Sequence, residues 1–237
     1  MIELLVVVAI ISILAALVVP TVRRSMESSQ TAKCVGNLKA IGAGLYAYIA
    51  DHDGDLPPCA SLPNSHYKIS FRQKTFWFDA LNPYMGHPEY AADRNLPFPP
   101  PDSVGTEFPF PWQQCPAKKV KPLQRQTVGY GWNLSNFGKD YTAEERNPGG
   151  SGFATRISQV TKPAKTIIIG DSKDAGVRAQ NTHEDRYIYD YGAEKSVPYP
   201  ERHGGGGNYL FMDGHVDWFS AEDMKTPDVR DLFKRTK

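Results

Sequence analysis

The distribution of apolar residues divides the chain into a long helical segment and a globular remainder. Residues 4–22 carry no charge and are almost wholly apolar, and Glu3 stands at the start of this run. A helix over residues 1–19 would be about 28 Å long, close to the hydrocarbon thickness of a bilayer. The pattern therefore predicts a membrane-spanning segment. An ionised carboxylate at its edge is costly in lipid unless a partner neutralises it, so Glu3 needs an explanation of its own.

The helical pattern continues beyond Pro20, which lacks an amide proton and is expected to kink or locally open the helix. Apolar residues then recur mostly at steps of three and four, which predicts one helix to about residue 50: Val22, Met26, Val35, Leu38, Ile41, Leu45 and Ile49. Gly54 and Pro57 end the pattern. A helix of about 50 residues is about 75 Å long, too long for a lone globular domain, so something outside the domain must bury its first half.

Two simpler interpretations fit the first segment less well. A cleavable signal peptide has a basic start, a shorter apolar core and a small-residue cleavage site. Here no Lys or Arg precedes the run, and its exit at residues 18–22 is a poor cleavage site. A generic single-pass anchor fits the length but leaves Glu3 unexplained. Under the positive-inside rule, Arg23 and Arg24 alone would keep the remaining chain in the cytoplasm.

The remainder, residues 53–237, is long enough for one domain with its own core. Residues 57–126 form a predicted insertion, because 13 of the 19 prolines lie between positions 57 and 122 and proline excludes helix interiors and central strands. Interleaved aromatic residues favour an ordered, packed insertion. Within it, residues 76–81 are predicted to form a short helix.

The later part of this domain is predicted to be β-structure. Residues 127–134 and 166–171 are predicted strands. A hairpin is predicted from residues 208–212 and 215–219, joined by Asp213 and Gly214 in a type I′ turn. Residues 202–207 are expected to form a flexible approach loop.

Charge and motifs narrow the function. The 27 basic and 26 acidic residues form no basic stripe, so no nucleic-acid partner is expected. No nucleophile elbow, phosphate-binding loop or catalytic carboxylate pair is recognisable, and we expect no enzymatic activity.

Residues 2–16 followed by Pro20 resemble the N-terminal helix of type IV pilins and type II secretion pseudopilins. The resemblance implies an α+β fold in which the long helix of residues 1–52 packs on an antiparallel β-sheet domain. It also implies a filament of identical or related subunits held together by apolar helix contacts, among them Leu4, Leu5, Val8 and Ile11. Glu3 would pair with the N-terminal amine of a neighbouring subunit and set the register, since a lone buried charge is costly.

In this family a basic leader ending in Gly is removed by a prepilin peptidase, and the new N-terminus is methylated. We therefore expect such a leader, followed by Phe-Thr, upstream of Met1. It would orient the chain as a single-pass inner-membrane protein with its domain in the periplasm, and overrule Arg23 and Arg24. An assembly platform is a further implied partner.

A second resemblance lies at the far end of the chain. His203, nine intervening residues, then Asp213 and Gly214 are similar to the His-x9-Asp-Gly motif of a pilin-like group in planctomycete and verrucomicrobial bacteria. Residues 37–42, 115–117 and 163–166 also fit that group.

Ligand-type residues leave two alternatives open. One alternative is a metal site formed by Asp171, His203, Asp213, His215 and Asp217. In the other, Asp213 serves only as a turn residue and His203 forms a hydrogen bond with a loop. The acidic residues after the helix also leave two alternatives: Asp51, Asp53 and Asp55. They resemble the first ligand positions of a Ca²⁺-binding loop, although no Glu closes the loop at the spacing that an EF-hand needs. The other interpretation is a solvated helix C-terminus followed by turn residues. Because major pseudopilins bind Ca²⁺ in a C-terminal loop, the resemblance makes Ca²⁺ the candidate cofactor.

The three cysteines also leave alternatives. In an exported domain, Cys59 and Cys115 are the candidate disulfide, and both being reduced is the other interpretation. Cys34 is expected to be a small packing residue on the helix.

The rival functional class is a membrane-anchored extracellular binding module or enzyme that forms no filaments. It would bind a ligand such as a polysaccharide through exposed Trp and Tyr side chains.

Overall fold

One helix dominates the architecture. The computed structural model describes residues 2–57, 60–61, 75–86, 112, 114–117, 129–133, 137, 156–172, 187–188 and 202–233. Helix α1 spans Ile2–Asp51 and continues through Pro20, so the predicted long helix is confirmed and no local opening interrupts it. It ends where Gly54 donates its backbone N–H to the carbonyl of Ile49 at 2.9 Å, with Asp53 and Gly54 both at positive φ.

The two halves of α1 have different surroundings. Every residue from 2 to 29 is exposed, including the large apolar ones. The second half is buried along one side: Cys34, Leu38, Ile41, Gly42, Gly44, Leu45, Tyr48 and Ile49. The predicted inner positions from residue 38 onwards are thus confirmed, whereas Val22 and Met26 belong to the exposed half.

The globular part holds seven strands and two short helices among the described residues. The strands are β1 Ala60–Ser61, β2 Thr75–Phe76, β3 Tyr130–Asn133, β4 Ile167–Asp171, β5 Tyr187–Ile188, β6 Gly206–Phe211 and β7 Val216–Ser220. The helices are α2 Trp77–Leu81 and α3 Pro227–Asp231. Single turns of 3₁₀-helix lie at Asn82–Met85, Ile157–Gln159, Pro163–Lys165 and Asp223–Lys225. The predictions for residues 76–81, 127–134 and 166–171 are confirmed within a few residues.

Strands β3 to β7 form one sheet in the order β5-β3-β4-β6-β7. All neighbouring pairs are antiparallel except β3 and β5, which are parallel. Strands β1 and β2 form a separate antiparallel pair. A long helix packed on a mainly antiparallel sheet confirms the predicted α+β fold.

The core lies mainly between α1 and one face of this sheet. The main cluster joins Leu38, Ile41 and Leu45 of α1 to Trp132, Ile168 and Leu210 of the sheet. A smaller cluster on the other face contains Ile167, Tyr209, Phe211, Met224 and Phe233. The pairing of β4 with β6 shifts between Ile167 and Ile169, and this bulge lets the consecutive Ile168 and Ile169 both join the main cluster.

The C-terminal hairpin is confirmed, but its turn type was predicted wrongly. Gly214 donates its N–H to the carbonyl of Phe211, and Phe211 donates its own to His215, so three residues form the loop. Gly214 has φ +93° whereas Asp213 is not at positive φ. A type I′ turn requires positive φ at both central residues, so this is the three-residue alternative with glycine in the left-handed position.

Much of the proline-rich insertion lies outside the described residues. In residues 57–126 the structure describes Pro57, β1, β2 with α2 and its following turn, Trp112, and residues 114–117. These parts pack inward, because Trp77, Phe78 and Leu81 are buried in the main cluster. Where they are described, the expected ordered packing is confirmed.

Two glycines provide a test of the helix–sheet core. A Cβ on Gly170 would lie 2.2 Å from the ring of buried Tyr209, whereas a Cβ on Gly36, on the exposed side of α1, meets nothing within 4 Å. We expect Gly170→Ala to lower the free energy of unfolding by about 1–3 kcal/mol through overpacking. Gly36→Ala should raise it by about 0.5–1 kcal/mol through helix propensity. Chemical denaturation of the full chain in detergent, followed by tryptophan fluorescence, measures both; shifts of the same sign would contradict this packing.

Candidate functional site

The first candidate site is the exposed half of α1. The residues expected to make assembly contacts are all exposed: Glu3, Leu4, Leu5, Val8, Ile11 and Pro20. Leu4 and Leu5 have 70% and 69% of their surface exposed. Contiguous apolar surface on this scale indicates a membrane or a protein partner. By length and composition this helix can cross a bilayer, which is compatible with a single-pass anchor.

The second candidate site is a buried cluster where α1 enters the domain. Cys34 is the first buried residue of α1, and Asp171 is the last residue of β4. Cys115 lies in a loop and His203 just before β6. The four ligand atoms of these side chains all lie within 4.8 Å of one another. Among the residues that the structure describes, this is the one group of three or more Cys, His, Asp or Glu side chains arranged in this way.

The contacts within the cluster are short. The Cys34 Sγ lies 3.4 and 3.5 Å from the two Asp171 carboxylate oxygens. The His203 Nε2 lies 3.1 Å from the Cys115 Sγ and 3.3 Å from the Asp171 Oδ2. The side chains of Asp171 and His203 have no solvent exposure. The cluster thus combines two sulfurs, one imidazole nitrogen and one carboxylate, all shielded from bulk solvent.

The turn before β6 places the His203 side chain in the buried cluster. His203 has φ +50°, Gly204 and Gly205 follow at φ +78° and +91°, and the N–H groups of Gly205 and Gly206 both bond the Arg202 carbonyl. The predicted flexible approach loop is therefore a tight, internally hydrogen-bonded turn. The Trp218 indole donates to the His203 carbonyl at 3.0 Å and closes the turn against β7.

The other ring nitrogen of His203 is held by α1. Its Nδ1 lies 3.0 Å from the Thr31 hydroxyl. That hydroxyl donates its single proton to the Glu27 carbonyl at 2.9 Å, so Thr31 accepts a hydrogen bond from Nδ1–H. The Nε2 atom is left facing Cys115 and Asp171.

Cys115 is positioned from two sides. The Asn37 amide of α1 donates to the carbonyl of Gln114 at 3.0 Å. On the other side the backbone of Cys115 packs directly on Gly129, where an added Cβ would lie 2.2 Å from the Cys115 nitrogen. The loop can approach β3 this closely only because position 129 has no side chain.

Asp171 is held by the strand beside it. The backbone N–H of Asn208 donates to its Oδ2 at 2.9 Å, and the Asn208 amide at 3.3 Å. The buried Arg202 guanidinium lies 3.6 Å from Oδ1 and donates to the carbonyls of Gly129 and Ser172. Charged side chains with so little exposure persist only when paired and hydrogen-bonded.

The protonation of the cluster follows from these contacts. Burial opposes ionisation of Asp171, but the hydrogen bond with His203 and the charge of Arg202 hold its pKa below the ordinary value. Burial likewise opposes charging of His203, yet its bonds to Asp171 and Cys115 raise its pKa to about 9. The hydrogen bond from Cys34 lowers the pKa of Cys115 to about 6, whereas burial raises the pKa of Cys34.

The fold places the metal ligands predicted from the sequence in two separate locations. Asp171 and His203 meet in the buried cluster. Asp213 instead bonds His215 at the exposed hairpin turn, and the other ring nitrogen of His215 lies 3.5 Å from Asp217. A metal site that combines Asp171 and His203 with Asp213 is therefore not formed.

The acidic run after α1 is also not assembled as a site. Asp55 is paired with the Arg156 guanidinium at 2.8 Å, largely in solvent. Asp51 lies at the helix end and Asp53 in the following turn. Within the described part of the chain, these carboxylates form no group with converging ligand atoms.

The cysteines contact other polar groups of the cluster. Cys115 is a free thiol, and the candidate disulfide with Cys59 lies outside the described residues. Cys34 is not merely a packing residue, because its sulfur contacts Asp171 and accepts a hydrogen bond from the Tyr130 hydroxyl at 3.3 Å. The available signal was its helical spacing from Leu38, Ile41 and Leu45, which places it on the inner side of α1.

These features define a class. A long helix with an exposed apolar first half and a second half packed on an antiparallel sheet is the pilin-like arrangement.

A comparison with known proteins identifies the family. Over 67 residues the chain is 39% identical to the ComG operon protein 3 homolog of Bacillus licheniformis, a match that covers 28% of this chain and 69% of that relative. The chain therefore belongs to the pilin-like family of ComG operon protein 3. No family model matches the chain, and no solved structure matches it.

The buried and exposed Arg–Asp pairs provide a matched test of the cluster. Arg202→Met leaves the Asp171 carboxylate buried beside fewer positive charges, so we expect the free energy of unfolding to fall by about 3–5 kcal/mol. Arg156→Met breaks a pair whose arginine side chain is 57% exposed, and should cost less than about 1 kcal/mol. Denaturant titration of the full chain in detergent measures both values. Equal losses would show that the buried Arg202–Asp171 pair stabilises the protein no more than the exposed Arg156–Asp55 pair.

Proposed function

We propose that this protein is a structural subunit of a type IV pilus or type II secretion pseudopilus, and that it assembles through the exposed half of α1. The observation that carries the proposal is the combination of a wholly exposed apolar half-helix with Glu3 at its start, in a chain of the pilin-like family. The role is mechanical and needs no catalytic group.

The physical argument concerns what covers this half-helix. Lipid can cover the apolar side chains before assembly, but lipid gives Glu3 no partner. In a filament, neighbouring helices cover the same surface, and the free N-terminal amine of one subunit neutralises the Glu3 carboxylate of another. Because the charge is satisfied at only one axial offset, Glu3 also sets the register.

The proposal includes an orientation and a maturation route. The domain lies outside the inner membrane, so the subunit is a single-pass membrane protein until an assembly platform adds it to the filament. A prepilin peptidase removes the leader, and the new N-terminus is methylated.

The register role predicts a specific assembly defect. In the native host, Glu3→Gln removes the charge with little change in shape, so we expect at least a tenfold loss of the subunit from the sheared surface-filament fraction, with the membrane level unchanged. Glu27→Gln is the matched control, since Glu27 is also an exposed acid of α1, and it should assemble like the wild type. Quantitative immunoblots of both fractions measure this.

Two results would contradict the proposal: wild-type filament levels for Glu3→Gln, or a wild-type protein found only as monomers in the membrane. The second result would favour the anchored binding module instead.

The maturation route predicts the N-terminus of the native protein. Mass spectrometry of protein purified from its host should find a methylated N-terminal residue a few positions before Glu3 and no leader. An unmethylated, longer N-terminus on assembled protein would refute the processing step, and with it the pairing of Glu3 with a processed N-terminal amine.

A further inference from the structure

We propose that Cys34, Cys115, Asp171 and His203 bind one tetrahedral Zn²⁺ ion at the neck of the molecule, which we define as the place where the exposed half of α1 enters the globular domain. This inference is independent of filament formation, since it concerns the domain and the packed half of α1.

The spacing of the ligand atoms fits such an ion. With Zn–S bonds of about 2.3 Å and Zn–N or Zn–O bonds of about 2.0–2.1 Å, ligand atoms at the corners of a tetrahedron lie about 3.3–3.8 Å apart. With the Asp171 Oδ2 as the single carboxylate ligand atom, three of the edges are 3.5 Å from Cys34 to Asp171, 3.1 Å from Cys115 to His203 and 3.3 Å from His203 to Asp171. All four atoms come from different segments of the chain and still meet within 4.8 Å.

The types of donor atom select the metal. Two thiolates, an imidazole and a single carboxylate are typical ligands of Zn²⁺, whereas Ca²⁺ requires six to eight oxygen ligands. The cluster offers one carboxylate, already engaged by Asn208 and Arg202. A calcium ion is therefore a poor fit at this centre, although calcium was the candidate from family resemblance.

Surrounding groups orient the ligands as metal sites require. A zinc-bound histidine commonly donates its other ring N–H to an oxygen that fixes its orientation, and Thr31 accepts that bond from His203. The backbone N–H of Asn208 orients the Asp171 carboxylate in the same way. Tyr130 donates to the Cys34 sulfur, a bond that favours a thiolate.

The formal charges balance in this buried place. Two thiolates and the Asp171 carboxylate carry three negative charges, and His203 contributes a neutral ligand. A divalent cation together with the Arg202 guanidinium carries three positive charges. Arg202 is only 3% exposed, so a neutral total matters here, because isolated charges are costly to bury.

The position of the ion explains what it would do for the molecule. Thr31 and Cys34 lie one helical turn apart at the start of the packed half of α1, and all residues from 2 to 29 are exposed. An ion at this point joins α1 to β4, to the Cys115 loop and to the turn before β6. Since metal binding adds to folding free energy, the ion would fix the direction in which α1 leaves the domain.

The test begins with the wild-type full chain in detergent micelles, reduced and dialysed against metal-free buffer after exposure to Zn²⁺. Elemental analysis should find about one Zn²⁺ per chain. Replacement by Co²⁺ should give the visible bands of a tetrahedral site together with a thiolate-to-cobalt charge-transfer band. The cobalt spectrum reports thiolate ligation in the wild type, so this reading does not depend on the folding of any variant.

Matched variants then test the ligand set. Cys115→Ser and His203→Gln should each abolish stoichiometric binding, whereas Cys59→Ser and the exposed His215→Gln should retain it. Thr31→Val, which only orients His203, should weaken Zn²⁺ affinity by about 10–100-fold. Near-ultraviolet circular dichroism verifies that each variant is folded.

Four results would overturn the proposal. The first three are a reduced, folded wild type that retains well under one Zn²⁺ per chain, a Co²⁺ complex without the charge-transfer band, and loss of binding in Cys59→Ser. Peptide mapping that finds a Cys34–Cys115 disulfide in metal-free protein freshly isolated from its host would also replace the ion by a covalent bond.

Discussion

The packing of the second half of α1 on one face of the sheet is the interaction on which the rest of the structure depends. It buries Leu38, Ile41 and Leu45 against sheet residues such as Ile168 and Leu210. Burial of apolar surface contributes about 25 cal/mol per Å² to the free energy of folding. The approach is close, because a Cβ on Gly42 would lie 3.2 Å from a Leu210 methyl group. Glycine inside a helix costs about 1 kcal/mol relative to alanine, so here proximity to the sheet outweighs helix propensity.

The same interface separates the molecule into two functional parts. Glu3 lies 31 residues before Cys34 on a continuous helix, a distance of about 47 Å. The exposed apolar half of α1 is thus remote from the domain core. The neck cluster lies between them, where the helix changes from exposed to buried, and any group that strengthens contacts there restricts the angle of the whole exposed segment.

Predictions from the sequence succeeded where one local signal was enough. The 50-residue helix followed from an apolar run and a continuing three-and-four spacing, and it needed no knowledge of its partners. Strands β4 and β6 followed from short apolar runs next to turn residues. The turn at Gly214 was misjudged because Asp-Gly is compatible with both two-residue and three-residue loops, and the pairing of Phe211 with His215 decides between them.

The buried cluster shows where such signals end. His203 and Asp171 were recognisable as residue types that bind metals, but so were Asp213 and His215. The fold places Asp213 and His215 together at the surface. Cys34 was predicted to be a packing residue, because its helical spacing places it on the inner side of α1 but does not reveal which polar group its sulfur contacts. Sequence separations of 137 residues between Cys34 and Asp171 and 88 between Cys115 and His203 are beyond any periodicity argument.

The sequence by itself therefore determined the long helix, its exposed apolar half with Glu3, and the β-rich character of the domain, because each depends on the order of neighbouring residues. Only the tertiary structure decided which polar side chains are buried together. That choice depends on the packing of α1 against β3, β4 and β6, which brings two thiols, an imidazole and a carboxylate from distant segments into one place shielded from solvent.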